Sequence, residues 1–156
     1  MKKSKIVTII ILIVVLLFVR LFIYFRHYKM PTNQITTNQP KELNPEVLGN
    51  KDDLVSFSVA PGTFVSGNMA INGTLKNGYF FEGNILVNVL DANKNLLKTS
   101  HGTATTDWMT AGPVFFKADI DFTGLLTGPA YIEIHNDNAS GLPANDKSIL
   151  IPVIIQ

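Results

Sequence analysis

Three short stretches of this chain carry residue types that could do chemistry. Asp91-Ala92-Asn93-Lys94-Asn95 sets side-chain oxygens at alternate positions, which matches the first three ligand positions of an EF-hand calcium loop. The remainder of that motif is missing. Leu96 stands where the loop needs Gly, Gly102 stands where it needs a bidentate Glu, and no helical pattern flanks it. A hairpin turn, favoured by Asp and Asn because they tolerate left-handed backbone, is the reading these residues carry further. In the second stretch, His135 to Gly141, the candidate ligand-binding residues are Asn136, Asp137, Asn138 and Ser140, whose oxygens could chelate calcium or bond a sugar hydroxyl. The same residues are ordinary turn formers that bond their own backbone. The third is Trp108-Met109, beside the Gly112-Pro113 break. A lone Trp there is either an exposed binding anchor or a lid on the end of the core.

Catalysis has weaker support. Ser100-His101 and Asp107 have the side-chain types of a triad, but there is no G-x-S-x-G elbow, and successive residues of a strand face opposite ways. The chain is therefore expected not to be an enzyme. It has no cysteine, which excludes disulfides, thiolate metal sites, a Cys nucleophile and a lipid-modified Cys. His27, His101 and His135 form no H-x-x-x-H pair, so neither a metal nor any cofactor is expected.

These stretches must be held by something, and the periodicity from residue 52 onward is that of strands. Leu54–Val59 places Val55, Phe57 and Val59 on one face, and Met69–Leu75 follows. Lys76-Asn77-Gly78 turns the chain into Tyr79–Leu90, and the Asp91–Asn95 turn leads to a weaker strand through Leu97–Thr105. Val114, Phe116, Ala118, Ile120 and Phe122 alternate with Lys117, Asp119 and Asp121, so one face is core and the other wet. Ala130–His135 and Ser148–Ile155 complete the set. Seven short strands with turn signals between them predict an all-β fold, a seven-stranded antiparallel sandwich of immunoglobulin-like type.

Residues 1–29 read differently. Lys2, Lys3, Lys5, Arg20, Arg26 and Lys29 are six of the thirteen basic residues, and all twelve acids come later, leaving 30–156 net acidic and unsuited to nucleic acid. Ile6–Val19 is almost unbroken apolar sequence, and Leu21–Phe25 extends it past Arg20. A helix over 6–25 spans about 30 Å, the thickness of the hydrocarbon layer. Arg20 lies near one end, from which its stem can carry the guanidinium to the headgroups. The alternative is a cleaved signal peptide, but residues 20–35 contain no Ala, Gly or Ser to form a cleavage site. The basic N-terminus slightly outweighs the basic flank beyond the helix, which favours a cytoplasmic N-terminus. Residues 30–51, rich in Asn, Gln, Thr and Pro, read as a polar flexible stalk.

Along residues 54–156 run Pro61-Gly62 with Val65-Ser66, Ile71-Asn72-Gly73-Thr74, Phe80-Phe81-Glu82, Leu90-Asp91-Ala92-Asn93, Asp107-Trp108-Met109-Thr110, Phe116, Asp137-Asn138 with Ser140-Gly141-Leu142-Pro143, and Ile151-Pro152-Val153. In this order and spacing the domain resembles the immunoglobulin-like domain of bacterial spore-germination proteins, which also occurs in membrane-anchored proteins of non-sporulating bacteria. The resemblance implies a β-sandwich at the cell surface and does not by itself imply a catalytic activity. Ala139, Ala144 and Lys94 stand where relatives usually carry Pro, Glu and Gly.

The expected protein is thus a single-pass membrane protein with 1–29 as anchor, 30–51 as stalk and 52–156 as an extracytoplasmic immunoglobulin-like module contacting an unidentified envelope protein or cell-wall partner. The alternative is a calcium- or glycan-binding envelope module working through Asn136–Ser140 and the Asp91–Asn95 turn. Mass spectrometry of membrane-extracted protein should recover the intact N-terminus, and a mature terminus between Arg20 and Leu48 would show the signal-peptide reading to be right.

Overall fold

The computed structural model describes residues 45–156, together with Leu16, Leu17 and Arg20, which are helical. The predicted anchor and the stalk as far as residue 44 otherwise lie outside the described residues. Among the described residues, no helix is long and apolar enough to cross a membrane. The chain divides into two compact units, Met1–Thr37 and Asn38–Gln156, and the sheet belongs to the second.

Nine strands form a curled, mainly antiparallel sheet: β1 (Leu48–Gly49), β2 (Leu54–Phe57), β3 (Thr63–Val65), β4 (Asn68–Leu75), β5 (Asn84–Asp91), β6 (Leu96–Ala104), β7 (Val114–Asp121), β8 (Gly128–His135) and β9 (Ser148–Ile155). Their hydrogen-bonded order is β1-β9-β8-β5-β6-β7-β4-β2, with β3 added parallel to β9. All seven strands expected from periodicity are present. The two further strands are short, two and three residues, below the length at which alternation is legible.

The curl turns the inward residues of β4 and β7 onto those of β5, β8 and β9, giving one main core that includes Ile71, Leu75, Val87, Ile120, Ile132 and Ile151. The β7 alternation holds along its whole length: Val114, Phe116, Ala118, Ile120 and Phe122 are buried, while Lys117 and Asp119 are exposed. Two expectations are corrected. Val55 is exposed, because the β2–β4 register shifts between Leu54 and Ser56 and breaks the alternation there, leaving Leu54 and Phe57 packed on the core. The strand expected from Tyr79 begins at Asn84, because Phe81 and Asn84 close a two-residue turn.

Phe116 on β7 is, after Tyr79, the largest fully buried side chain among the described residues. Its ring lies 6.4 Å from that of Phe57 and 6.4 Å from that of Phe80. Two glycines make room for it. A Cβ on Gly73 would lie 2.7 Å from the Phe116 ring and 2.8 Å from the Ser56 carbonyl oxygen, and one on Gly102 would lie 2.8 Å from Ile85 and 3.3 Å from Phe116. Because the carbonyl of Ser56 is backbone and cannot turn aside, Gly73→Ala should destabilise the domain by about 2 kcal/mol through overpacking. Urea unfolding followed by circular dichroism measures this, and an unchanged midpoint would show that β2 and β4 yield at little cost.

Candidate functional site

Strand register decides which loops share an end. Asn84 pairs with Thr103, Leu86 with His135 and Leu75 with Val114. The connections after β4, β6 and β8 (residues 76–83, 105–113 and 136–147) therefore converge at one end of the sheet, while the β5–β6 turn at Asp91–Asn95 lies at the other. Trp108 and Met109 thus share an end with Asn136, Asp137, Asn138 and Ser140. The Asp91–Asn95 turn does not, so the two halves of the calcium or glycan alternative form no single site. Ser100 and His101, successive in β6, face opposite sides.

The loop bearing the tryptophan is braced by short-range bonds that its own Thr and Asp residues supply. Asp107 Oδ1 accepts from Met109 N–H at 3.0 Å, Thr110 Oγ1 from Gly112 N–H at 3.2 Å, and Thr106 Oγ1 from Phe115 N–H at 3.1 Å. Trp108 is half-buried and lies over Gly83, where a Cβ would sit 3.4 Å from indole Cδ1 and 3.5 Å from Nε1. It lies outside the core cluster and is neither fully buried nor fully exposed. Gly83 (φ +78) and Glu82 (φ +49) are the central residues of the turn that joins Phe81 to Asn84 by reciprocal bonds of 3.0 and 2.9 Å. Both central residues have positive φ, as a type I′ turn requires. The Gly83 carbonyl also accepts from Ala104 N–H at 2.8 Å, which fixes the turn to β6.

Beyond this brace the side chains are apolar and open. Met109 is 77% exposed, Phe115 53% and Phe81 43%. Neither Phe81 nor Phe115 was expected from the sequence as a site residue. The signal for Phe115 was present, since Phe116 facing inward obliges its neighbour on the strand to face outward.

The β8–β9 connection is bonded mostly to itself. Asn136 is buried, its Nδ2 donating to the Asn145 carbonyl at 2.9 Å and its Oδ1 accepting from Lys147 N–H at 2.8 Å. Asn138 Nδ2 donates to the Leu142 carbonyl and to Asp146, and its Oδ1 accepts from Ser140 N–H and Oγ–H. Ser140 Oγ in turn accepts from Leu142 N–H at 3.2 Å and Asn145 Nδ2 at 3.0 Å. The oxygens of Asn136, Asn138 and Ser140 that could have met a ligand shape the loop instead, and among the described residues the Asp137 carboxylate has no side-chain or backbone donor. Among the described residues, no three His, Asp or Glu side chains are grouped to hold a metal.

One charged node props this end. Tyr79 is buried and donates from its hydroxyl to Asp53 at 3.3 Å, and burial first, with the Asp53 charge second, pushes that hydroxyl's pKa well above its ordinary value. Lys147 reaches Asp53 at 3.7 Å with its ammonium 5.3 Å from the Tyr79 ring centre, and Lys76 reaches it at 3.9 Å. The Tyr79 carbonyl accepts from Asp137 N–H at 3.1 Å, so the 76–83 connection touches the 136–147 loop on one side and the tryptophan on the other.

At the opposite end, Asp91 Oδ1 accepts from Asn93 and Asn95 N–H at 2.7 and 2.9 Å, and Oδ2 accepts from Asn95 Nδ2 at 2.8 Å. The Asn95 side-chain bond, ahead of the backbone bonds, holds the Asp91 pKa below its ordinary value. These are the bonds of the hairpin turn that joins β5 to β6.

Compared with protein-family models, with curated proteins and with solved structures, the chain matches none.

Lys94 occupies left-handed backbone at φ +67 in that turn, a conformation that strains an L side chain and suits glycine. Lys94→Gly should raise stability by about 1 kcal/mol, or about 4 °C in the thermal midpoint. A lower midpoint would mean that the Lys94 side chain contributes more than its backbone loses.

Proposed function

We propose that the chain is a membrane-anchored extracytoplasmic module in which an immunoglobulin-like sandwich makes non-covalent contact with an envelope protein through the end that carries Trp108 and Met109. The observation that carries this reading is the 77% exposure of Met109 beside a half-buried Trp108 on a loop braced at three points. An aromatic held in place loses little conformational freedom on binding, and Met adapts its shape to the partner. Polar loop residues around it supply the rim such patches have.

The sandwich reading is supported by how few pairs join its two halves: β6 meets β7 only from Gly102↔Ala118 to Ala104↔Phe116, while β5–β8–β9 and β4–β7 pair over most of their lengths. A first strand that pairs antiparallel at β2 and parallel to the last strand at β3 also fits an immunoglobulin-like topology. The kinship with the domain of spore-germination proteins rests on the ordered sequence fragments, and the membrane location on the apolar run at 6–25 with its basic flanks.

A photo-crosslinking amino acid at position 109, introduced in native membranes, should yield a protein adduct, and the same group at position 93, at the opposite end, should not. Trp108→Ala should abolish the adduct while costing about 1–2 kcal/mol of stability, below the 3–5 kcal/mol of a core aromatic. Equal adducts from both positions, or an adduct that survives Trp108→Ala, would remove this end as the contact.

A further inference from the structure

The outer face of β6–β5–β8–β9 carries a groove of about 510 Å³, away from the tryptophan loop. A polar chain lies along its floor. Glu133 and Asn88 are cross-strand neighbours on β8 and β5, and Glu133 Oε2 accepts from Asn88 Nδ2 at 2.8 Å. Its Oε1 accepts from Ser148 Oγ–H at 2.6 Å. These two neutral donors orient the carboxylate without compensating its charge. Among the described residues no lysine or arginine pairs with Glu133, which is half-buried. Lys94, a cation at the edge of the groove, belongs to the β5–β6 turn and makes no ion pair with it.

Asn88 supplies the independent observation. It is 9% exposed, and its Oδ1 is buried with no hydrogen-bond partner, the only such side-chain atom among the described residues. Leaving an amide oxygen so costs free energy that an apolar side chain of similar shape would not. Flipping the amide gives no relief, because Oδ1 would then face the Glu133 carboxylate. Rotation about the soft final torsion of Asn brings Oδ1 toward a donor in the groove at the expense of the Nδ2 bond to Glu133, whose place that donor would take. His135 adjoins, its Nδ1–H donating to the Asn136 carbonyl, which only accepts, at 2.7 Å.

The groove therefore offers an uncompensated carboxylate and an unmet amide oxygen, and its one hydroxyl donor is already engaged by Glu133. Its walls include Leu86, Leu90 and Leu150, and Leu90 and Leu150 form a small apolar cluster with Tyr131 on this outer face. Acceptors and negative charge at one place, with aliphatic surface leading to it, fit a cation with several N–H donors on an alkyl stem. We propose that this groove binds an aliphatic primary ammonium, the chemistry of a lysine side chain, with Glu133 as counter-charge and Asn88 Oδ1 as the positioning acceptor.

The test uses the full chain in neutral detergent, titrated calorimetrically at low salt with 5-aminopentan-1-ol, with 1,5-pentanediol as the uncharged control of equal length. Saturable binding of the amine alone is expected, at least tenfold weaker in Glu133→Gln. Asn88→Leu should also lose binding while its thermal midpoint, without amine, is equal to or above that of the parent. A parallel titration with N-acetyl-lysine amide separates sources: tighter binding than the amino alcohol assigns a lysine residue of a partner, and equal binding assigns a free amine. Absence of heat with both amines, equal binding by amine and diol, or unaltered affinity in Glu133→Gln would overturn the proposal. A lowered midpoint in Asn88→Leu with amine binding retained would make Asn88 purely structural and overturn its part.

Discussion

The seat of Phe116 is the constraint on which the sheet depends. One ring must be received from both sides, by Gly73 on β4 and Gly102 on β6, because any side chain at either position would intrude on it or on its neighbours. β7, which carries Phe116, is also the strand that joins the two parts of the sheet, through three pairs to β6 and eight to β4. Local glycine, which weakens a strand taken alone, here permits the close approach that lets the curl shut on one core. The stacked Phe57 and tilted Phe80 then extend that core to β2 and to the connection after β4.

Order at the tryptophan end propagates outward from this core by unlike means. Tyr79 is held by burial and by Asp53, a residue from the start of the domain, and Asp53 in turn draws two lysines from different connections. The tryptophan loop relies on bonds that reach no further than a few residues, apart from those of Thr105 and Thr106 to Phe115. Each loop is thus fixed separately and then leaned against the 76–83 connection. An end built this way can present apolar side chains to solvent without collapsing over them.

Much of the fold was legible because β4 through β9 are long enough to show period two, and the β7 pattern predicted its buried face residue by residue. Val55 was misread because a bulge reverses the faces without altering composition. β1 and β3 escaped because two or three residues have no period. At the candidate site, Trp108-Met109 was legible from rarity and turn context, and the shared end of the loops followed only from register. The Asp53–Tyr79–Lys147 node had no local signal, since its members lie far apart in sequence. Asn138 and Ser140 were ambiguous in principle: the oxygens that suit a ligand are those that suit a turn, and composition does not say which they will serve.

β1 has a mechanical meaning. Leu48 and Gly49 pair antiparallel with Leu150 and Ile149, and Asn50 bonds Ser148 through both its backbone N–H at 2.8 Å and its side-chain oxygen at 3.1 Å. Gly49 is needed there, as a Cβ would lie 2.2 Å from the Ser148 carbonyl oxygen. β1 runs toward the tryptophan end, so a pull on the preceding chain, resisted at that end, acts along the strands. Antiparallel hydrogen bonds stand perpendicular to the strands and would be loaded together in shear, not peeled one by one, so this short pairing resists a pull where the chain enters the sheet.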